Sequence, residues 1–242
     1  MRGARSVPRF VPAAALTLLV LTFVAMRGST RSGAAHAVDP ETVTVAFVVT
    51  DNANVIDLAG PWEVFQDAMW DDGSGHRMPF RLFTVSDSRS PVTMTDGLRI
   101  VPDYTFETAP HPDVVVVGAQ HGAPGLAKWL RARSADSRVV MSVCTGAFKL
   151  ADAGLLDGKR ATTHHEFWDA FAARYPKVSL QRGDRFVQSD SVIYTAGGLT
   201  SGIDLALHIV EKFYGRDAAD RTARYMEYRR ATTSTSVGMT SP

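Results

Sequence analysis

A lone cysteine, one aspartate and a set of glycines carry most of the chemistry available to this sequence. Cys144 is the single cysteine among 242 residues. It follows the strand-like run Arg138 to Val143 and precedes the small residues Thr145-Gly146-Ala147, which open a predicted helix. A small residue stands two places either side of the thiol, Ser142 before it and Gly146 after it. That is the steric pattern of a sharp strand-to-helix turn that exposes a nucleophile. At a helix start the thiolate would face unpaired backbone N–H groups and the positive end of the macrodipole, so this reading expects a lowered thiol pKa. The alternative reading of the same residues is a small buried hydrophobe.

Asp57 lies in Val55-Ile56-Asp57-Leu58-Ala59-Gly60-Pro61-Trp62-Glu63. Proline suits the first turn of a helix, so the predicted helix starts at Pro61 with Gly60 at the capping place, and Asp57 falls too early to be a simple cap. It is either a carboxylate working with the thiol or one that orders a loop. Glu63 reads as a helix-end charge or, secondarily, as a hydrogen-bonding partner of the thiol. Gly118-Ala119-Gln120-His121-Gly122 ends an apolar strand, and its backbone N–H groups could join that of Thr145 in stabilising a developing anion. A plain strand-to-helix turn is the other reading. His164 and His165 follow Ala161-Thr162-Thr163, and a histidine beside Cys144 would complete a cysteine–base pair. His165 and Asp169 share a helix face, yet with no spaced ligand set and no second cysteine a metal is not expected. Gly197-Gly198-Leu199-Thr200 precedes the longest predicted helix; Ser201 with Asp204 matches a capping box, and the glycines would let backbone approach a pocket.

These residues need a scaffold that brings them together. Short β-branched runs at Val43 to Val49, Phe80 to Val85, Val114 to Val117, Val139 to Val143 and Val192 to Thr195 alternate with segments of helical apolar spacing. Near-continuous apolar strands with helices between them predict a mainly parallel sheet covered on both faces, a three-layer α/β/α sandwich. Pro91 to Val101 reads as a short hairpin turning at Asp96-Gly97. In open α/β sheets ligands bind beyond the carboxyl ends of the strands. The segments found there are Asp51 to Gly60, Gly118 to Gly122, Cys144 to Gly146 and Gly197 to Thr200.

Residues 1–37 read as a targeting segment. Arg2, Arg5 and Arg9 precede the apolar stretch Val11 to Met26, and Ala35-His36-Ala37 offers a cleavage site, so a signal peptide is expected, with an uncleaved N-terminal anchor as the alternative. The expected location is therefore exported, periplasmic or secreted, or else membrane-anchored through this segment. The formal charge of +1 comes from 26 basic and 25 acidic residues; without the five arginines of this segment, 21 against 25 remain, a charge of −4. A mildly acidic chain with no basic run gives no footprint for nucleic acid. One domain is expected over residues 38–230, with a disordered Ser/Thr-rich tail at 231–242. A single cysteine forbids an internal disulfide.

Taken together and in this order, the motifs resemble the ThiJ/PfpI superfamily of the class I glutamine amidotransferase-like fold, from about Val43 to Tyr228. The most specific are Ile56 to Phe65, Ser142 to Ala147, Gly154 to His164 and Gly198 to Leu207. Within the superfamily the sequence looks most like isonitrile hydratases and the sensor domains of AraC-type regulators. The resemblance implies a flavodoxin-like fold, a homodimer, and a small-molecule site with Cys144 as nucleophile and Asp57 and Thr145 arranged around it. Gly118, Ala119, Gly198 and Thr200 are expected to line the pocket, with His164, His121 and Glu63 as secondary candidates, and no metal or organic cofactor is required. Thr145 stands where the superfamily's peptidases place histidine, which argues against proteolysis. Regulators of the AraC type need a helix-turn-helix module after this domain, and the sequence runs to Pro242 without one, so ligand binding rather than DNA binding is the second expectation. A cysteine-dependent amidase or aldehyde-handling enzyme is the third.

Overall fold

A computed structural model describes residues 42–230 apart from 72 and 74. The expectations for residues 1–37 and 231–242 lie outside the described residues. Five apolar runs form the centre of a seven-stranded sheet: β1 (Val43–Val48), β2 (Phe80–Ser86), β4 (Val114–Val117), β5 (Val139–Ser142) and β7 (Ile193–Ala196). β3 (Tyr104–Thr105) and β6 (Phe186–Gln188) lie at the edges. The order across the sheet is β6-β7-β5-β4-β1-β2-β3, and every pair is parallel except β6 with β7. Counting the five central strands alone in chain order, the arrangement is 2-1-3-4-5, the flavodoxin-like winding, with its reversal point between β1 and β4.

Alternation along each strand divides the core in two. Val43, Val45, Phe47, Val114, Val116 and Met141 face one side, packed against α1 (Val55–Gln66), α5 (Ser201–Tyr214) and α6 (Arg216–Tyr225). Ala46, Val48, Val115, Val117 and Val140 face the other, covered by α2 (Leu126–Asp136), α3 (Gly146–Asp152) and α4 (Trp168–Arg174). All four valines of β4 are essentially inaccessible, which is why this strand reads as an unbroken apolar run. Burial of each such side chain contributes about 1.5–3 kcal/mol relative to exposure. A small hairpin pairs Val92–Thr93 with Arg99–Ile100 and turns through Thr95–Gly97, where Asp96 adopts φ 56°. Among the described residues no helix is long and apolar enough to cross a membrane.

Two local expectations are corrected. The first helix begins at Val55, capped by the Asn54 side chain accepting the Ile56 N–H (3.2 Å), so Pro61 lies inside the helix and Gly60 is not its cap. Proline leaves the carbonyl four residues back without its helical donor, and that carbonyl belongs to Asp57. Nor do Ser201 and Asp204 form a capping box: Thr200 holds the capping place without a side-chain bond to the helix backbone, and Asp204 pairs with Arg185 and accepts from the Tyr228 hydroxyl (3.1 Å).

Candidate active site

Four loops leave the carboxyl ends of β1, β4, β5 and β7 and meet beside the reversal point of the sheet. The loop after β5 carries Cys144 at φ 57°, a left-handed conformation unusual for a residue with a Cβ. Its N–H donates to the Gly197 carbonyl (2.7 Å), and its carbonyl accepts from the Thr163 hydroxyl (2.9 Å). The turn is tight enough that a Cβ on Gly146 would stand 2.1 Å from the Val117 carbonyl oxygen. Ser142, on the other flank, is fully buried. The small residues around the thiol are therefore a steric requirement.

Asp57 occupies the first turn of α1 and is completely buried. Its Oδ2 accepts the Ala119 N–H (2.9 Å), while Oδ1 has no hydrogen-bond partner among the described residues. Gly118 fits here because a Cβ would stand 2.7 Å from that of Asp57. Burial pushes the Asp57 carboxyl up to about 6, against the N–H of Ala119, the Cys144 thiol and the N–H of Leu199, which favour the charged form. The Cys144 thiol is pushed up to about 12, first by burial and then by the Asp57 carboxylate; the N–H groups of Thr145 and Leu199 oppose this without reversing it. The lowered thiol pKa expected from a helix start is therefore corrected: Cys144 is only 6% exposed, and a neighbouring anion outweighs two backbone donors. Near neutral pH the pair holds one proton, on sulfur, beside an ionised carboxylate.

The structure sorts the remaining candidates. The Ala119 N–H is spent on Asp57, so Gly118 and Ala119 seat the carboxylate instead of supplying an oxyanion contact. Thr145 contributes its N–H at the sulfur. No histidine is among the groups that perturb Cys144. His121 is exposed and holds its loop through backbone bonds to Asp51 (3.0 Å) and Thr50 (2.6 Å). His164 stacks on His165 (4.5 Å) and lies over Gly198, where a Cβ would meet its ring at 2.1 Å. Asp169, on the same helix face as His165 in the sequence, pairs with Arg182 (2.6 Å). Glu63 is exposed on α1 and lines a separate groove with Asp67, Tyr225 and Glu227. Thr200 accepts from Arg185 (3.2 Å) at the rim of a cavity of about 370 Å³. Thr163, His164, Trp168, Arg185 and Leu199 also border that cavity, whereas Cys144 and Asp57 do not.

Sequence reasoning missed Leu199 and Thr163. Leu199 adopts φ 54°, and its N–H acts on both the carboxyl and the thiol. The adjacent glycine pair was the visible signal, but the left-handed residue of this turn is the leucine beside it.

A flavodoxin-like sandwich with a cysteine at the strand-to-helix elbow and a buried acid beside it, at the carboxyl end of the sheet, defines a class of α/β proteins. The chain belongs to the DJ-1/PfpI family, whose model matches residues 43–212. It is 35% identical over 191 residues to an isonitrile hydratase of Pseudomonas putida, covering 76% of this chain and 78% of the relative. It is 30% identical over 195 residues to the HTH-type transcriptional regulator GbdR of Pseudomonas aeruginosa, covering 77% of this chain but 51% of the regulator. Among solved structures, a ThiJ/PfpI family protein from Pseudomonas syringae superposes with a TM-score of 0.65 at 28% identity, covering 82% of this chain and 80% of that one. An AraC family transcriptional regulator from Pseudomonas putida shares the fold, with a TM-score of 0.66 at 19% identity over 76% of this chain and 99% of that one.

Proposed function

We propose that the protein hydrates a small isonitrile to an N-substituted formamide through Cys144. The observation that carries this reading is the fully buried Asp57 carboxyl in hydrogen-bond contact with the Cys144 thiol at the strand-to-helix elbow, with no histidine among the groups that act on the sulfur. Addition of a thiol to the terminal carbon of R–N≡C forms a C–S and a C–H bond on the same atom. Asp57 takes the proton from sulfur as the C–S bond forms and delivers it to that carbon, giving the thioimidate R–N=CH–S. Water then adds to the carbon; one of its protons reaches nitrogen through Asp57. The other returns to sulfur as the C–S bond breaks and R–NH–CHO leaves. The N–H groups of Thr145 and Leu199 support charge on sulfur during both steps. The likeness to the isonitrile hydratase of Pseudomonas putida supports the substrate class. The same reading takes the protein as an exported homodimer that needs no metal or organic cofactor and meets a membrane only through an uncleaved N-terminal segment.

Formamide formation from an alkyl isonitrile, followed by NMR with Cys144→Ala alongside, tests the proposal. Product from the native protein alone is expected, and product from neither protein refutes it. A second reading, a ligand-binding or sensing domain, is favoured by the cavity that neither Cys144 nor Asp57 lines and by the likeness to GbdR. Ligand binding without turnover would mark that outcome.

A further inference from the structure

The peptide unit joining Cys144 to Thr145 faces two ways. Its carbonyl accepts the Thr163 hydroxyl at 2.9 Å and, at a longer 3.5 Å, the Ala147 N–H, and its own N–H, from Thr145, acts on the Cys144 sulfur. A trans peptide is planar with its C=O and N–H opposed, so whatever holds the carbonyl aims the N–H. Thr163 is itself immobilised. It is 1% exposed, its carbonyl accepts the Trp168 indole N–H (3.0 Å), and the N–H of its neighbour Thr162 donates to the Thr195 hydroxyl on β7 (2.9 Å). Thr195 in turn lies directly opposite Ser142 of β5, two residues before the elbow. A closed path therefore runs from the sheet through Thr195, Thr162 and Thr163 back to Cys144. The Gly197 carbonyl clamps the Cys144 N–H from the other side (2.7 Å).

We propose that Thr163 is a positioning residue: its hydroxyl fixes the Cys144–Thr145 peptide plane and so aims the Thr145 N–H at the sulfur as charge develops there. The proposal rests on Cys144 acting as a nucleophile but not on the identity of its electrophile. Without the hydroxyl the Cys144 carbonyl keeps only the long Ala147 contact (3.5 Å), and the peptide plane is free to tilt toward that donor.

The test compares Thr163→Val, which keeps the shape and deletes the donor, with Thr163→Ser, which keeps the donor. Two rates are read: alkylation of Cys144 by iodoacetamide across pH, and formamide production. Thr163→Val is expected to alkylate about ten- to a hundredfold more slowly on the neutral plateau and to lose kcat by a similar factor with KM within about twofold, as misplacement of one catalytic donor predicts. Thr163→Ser should stay within about threefold of wild type in both. Alkylation of Thr163→Val at the wild-type rate, or equal losses in the valine and serine variants, overturns the proposal. Should the valine variant prove too unstable to purify, Thr163→Ala against Thr163→Ser gives the same comparison. Absence of formamide from the wild-type protein refutes the hydratase reading alone, because the alkylation ratio still decides the role of Thr163.

Discussion

At the scale of single residues the decisive pair is Asp57 and Cys144. A carboxyl near pKa 6 beside a thiol near 12 makes the sulfur nucleophilic only when Asp57 is ionised and can accept its proton. Alkylation of Cys144 by iodoacetamide should therefore rise through an inflection near pH 6 and then level off. In Asp57→Asn the inflection should vanish and the rate should climb only in the alkaline range; an unchanged profile would remove Asp57 from the chemistry. Cys144 was legible in the sequence because its small neighbours are sterically compelled, as the space around Gly146 shows. The direction of its pKa was not legible, since both burial and the approach of Asp57 are products of tertiary structure. Leu199 itself carried no signal beyond the glycine pair beside it, because a left-handed leucine looks like any other leucine in a sequence.

The elements place these residues through a few close approaches between backbones. Gly146 lets α3 start against the end of β4, and its missing Cβ leaves room for the carbonyls of Val117 and Gly118. Those neighbours are main-chain atoms and cannot rotate aside. Gly146→Ala should cost at least about 3 kcal/mol in urea unfolding, the upper end of overpacking penalties. A loss below 1 kcal/mol would mean that the elbow can relax. Gly202 does a similar service between α5 and the elbow, where a Cβ would stand 2.9 Å from the Val143 side chain and 3.3 Å from Pro61. The strands were readable because β-branched runs buried on both faces have a distinctive pattern. The start of α1 was misread because Pro61 is usually an N-terminal residue, whereas here Asn54 caps the helix two turns earlier.

For the whole molecule, the buried Asp57 links function to folding stability. Its folded pKa lies above its unfolded value, so the native state holds that proton more tightly. The stabilisation is complete below about pH 4 and is lost as pH rises through 6. Above that range the charged Asp57 lowers stability by on the order of 3 kcal/mol. Asp57→Asn should consequently unfold at higher urea than wild type at pH 8, and the gap should close at pH 4. Equal midpoints at pH 8 would show that the carboxylate is better solvated than its burial implies. The sandwich was legible because alternating strands and helices demand a covered parallel sheet, whereas the flavodoxin-like winding followed from the family resemblance of the motifs. The convergence of Leu199 and Thr163 on Cys144 was not, because each lies in a loop whose path is fixed only by distant contacts. The near-complete burial of Cys144 also acts as a caliper. With 6% of Cys144 reachable, reagents are ranked by the cross-section of their reacting end before their electrophilicity matters. Slender, rod-like head groups should pass that gauge, and bulky disulfides such as oxidised glutathione should be turned away.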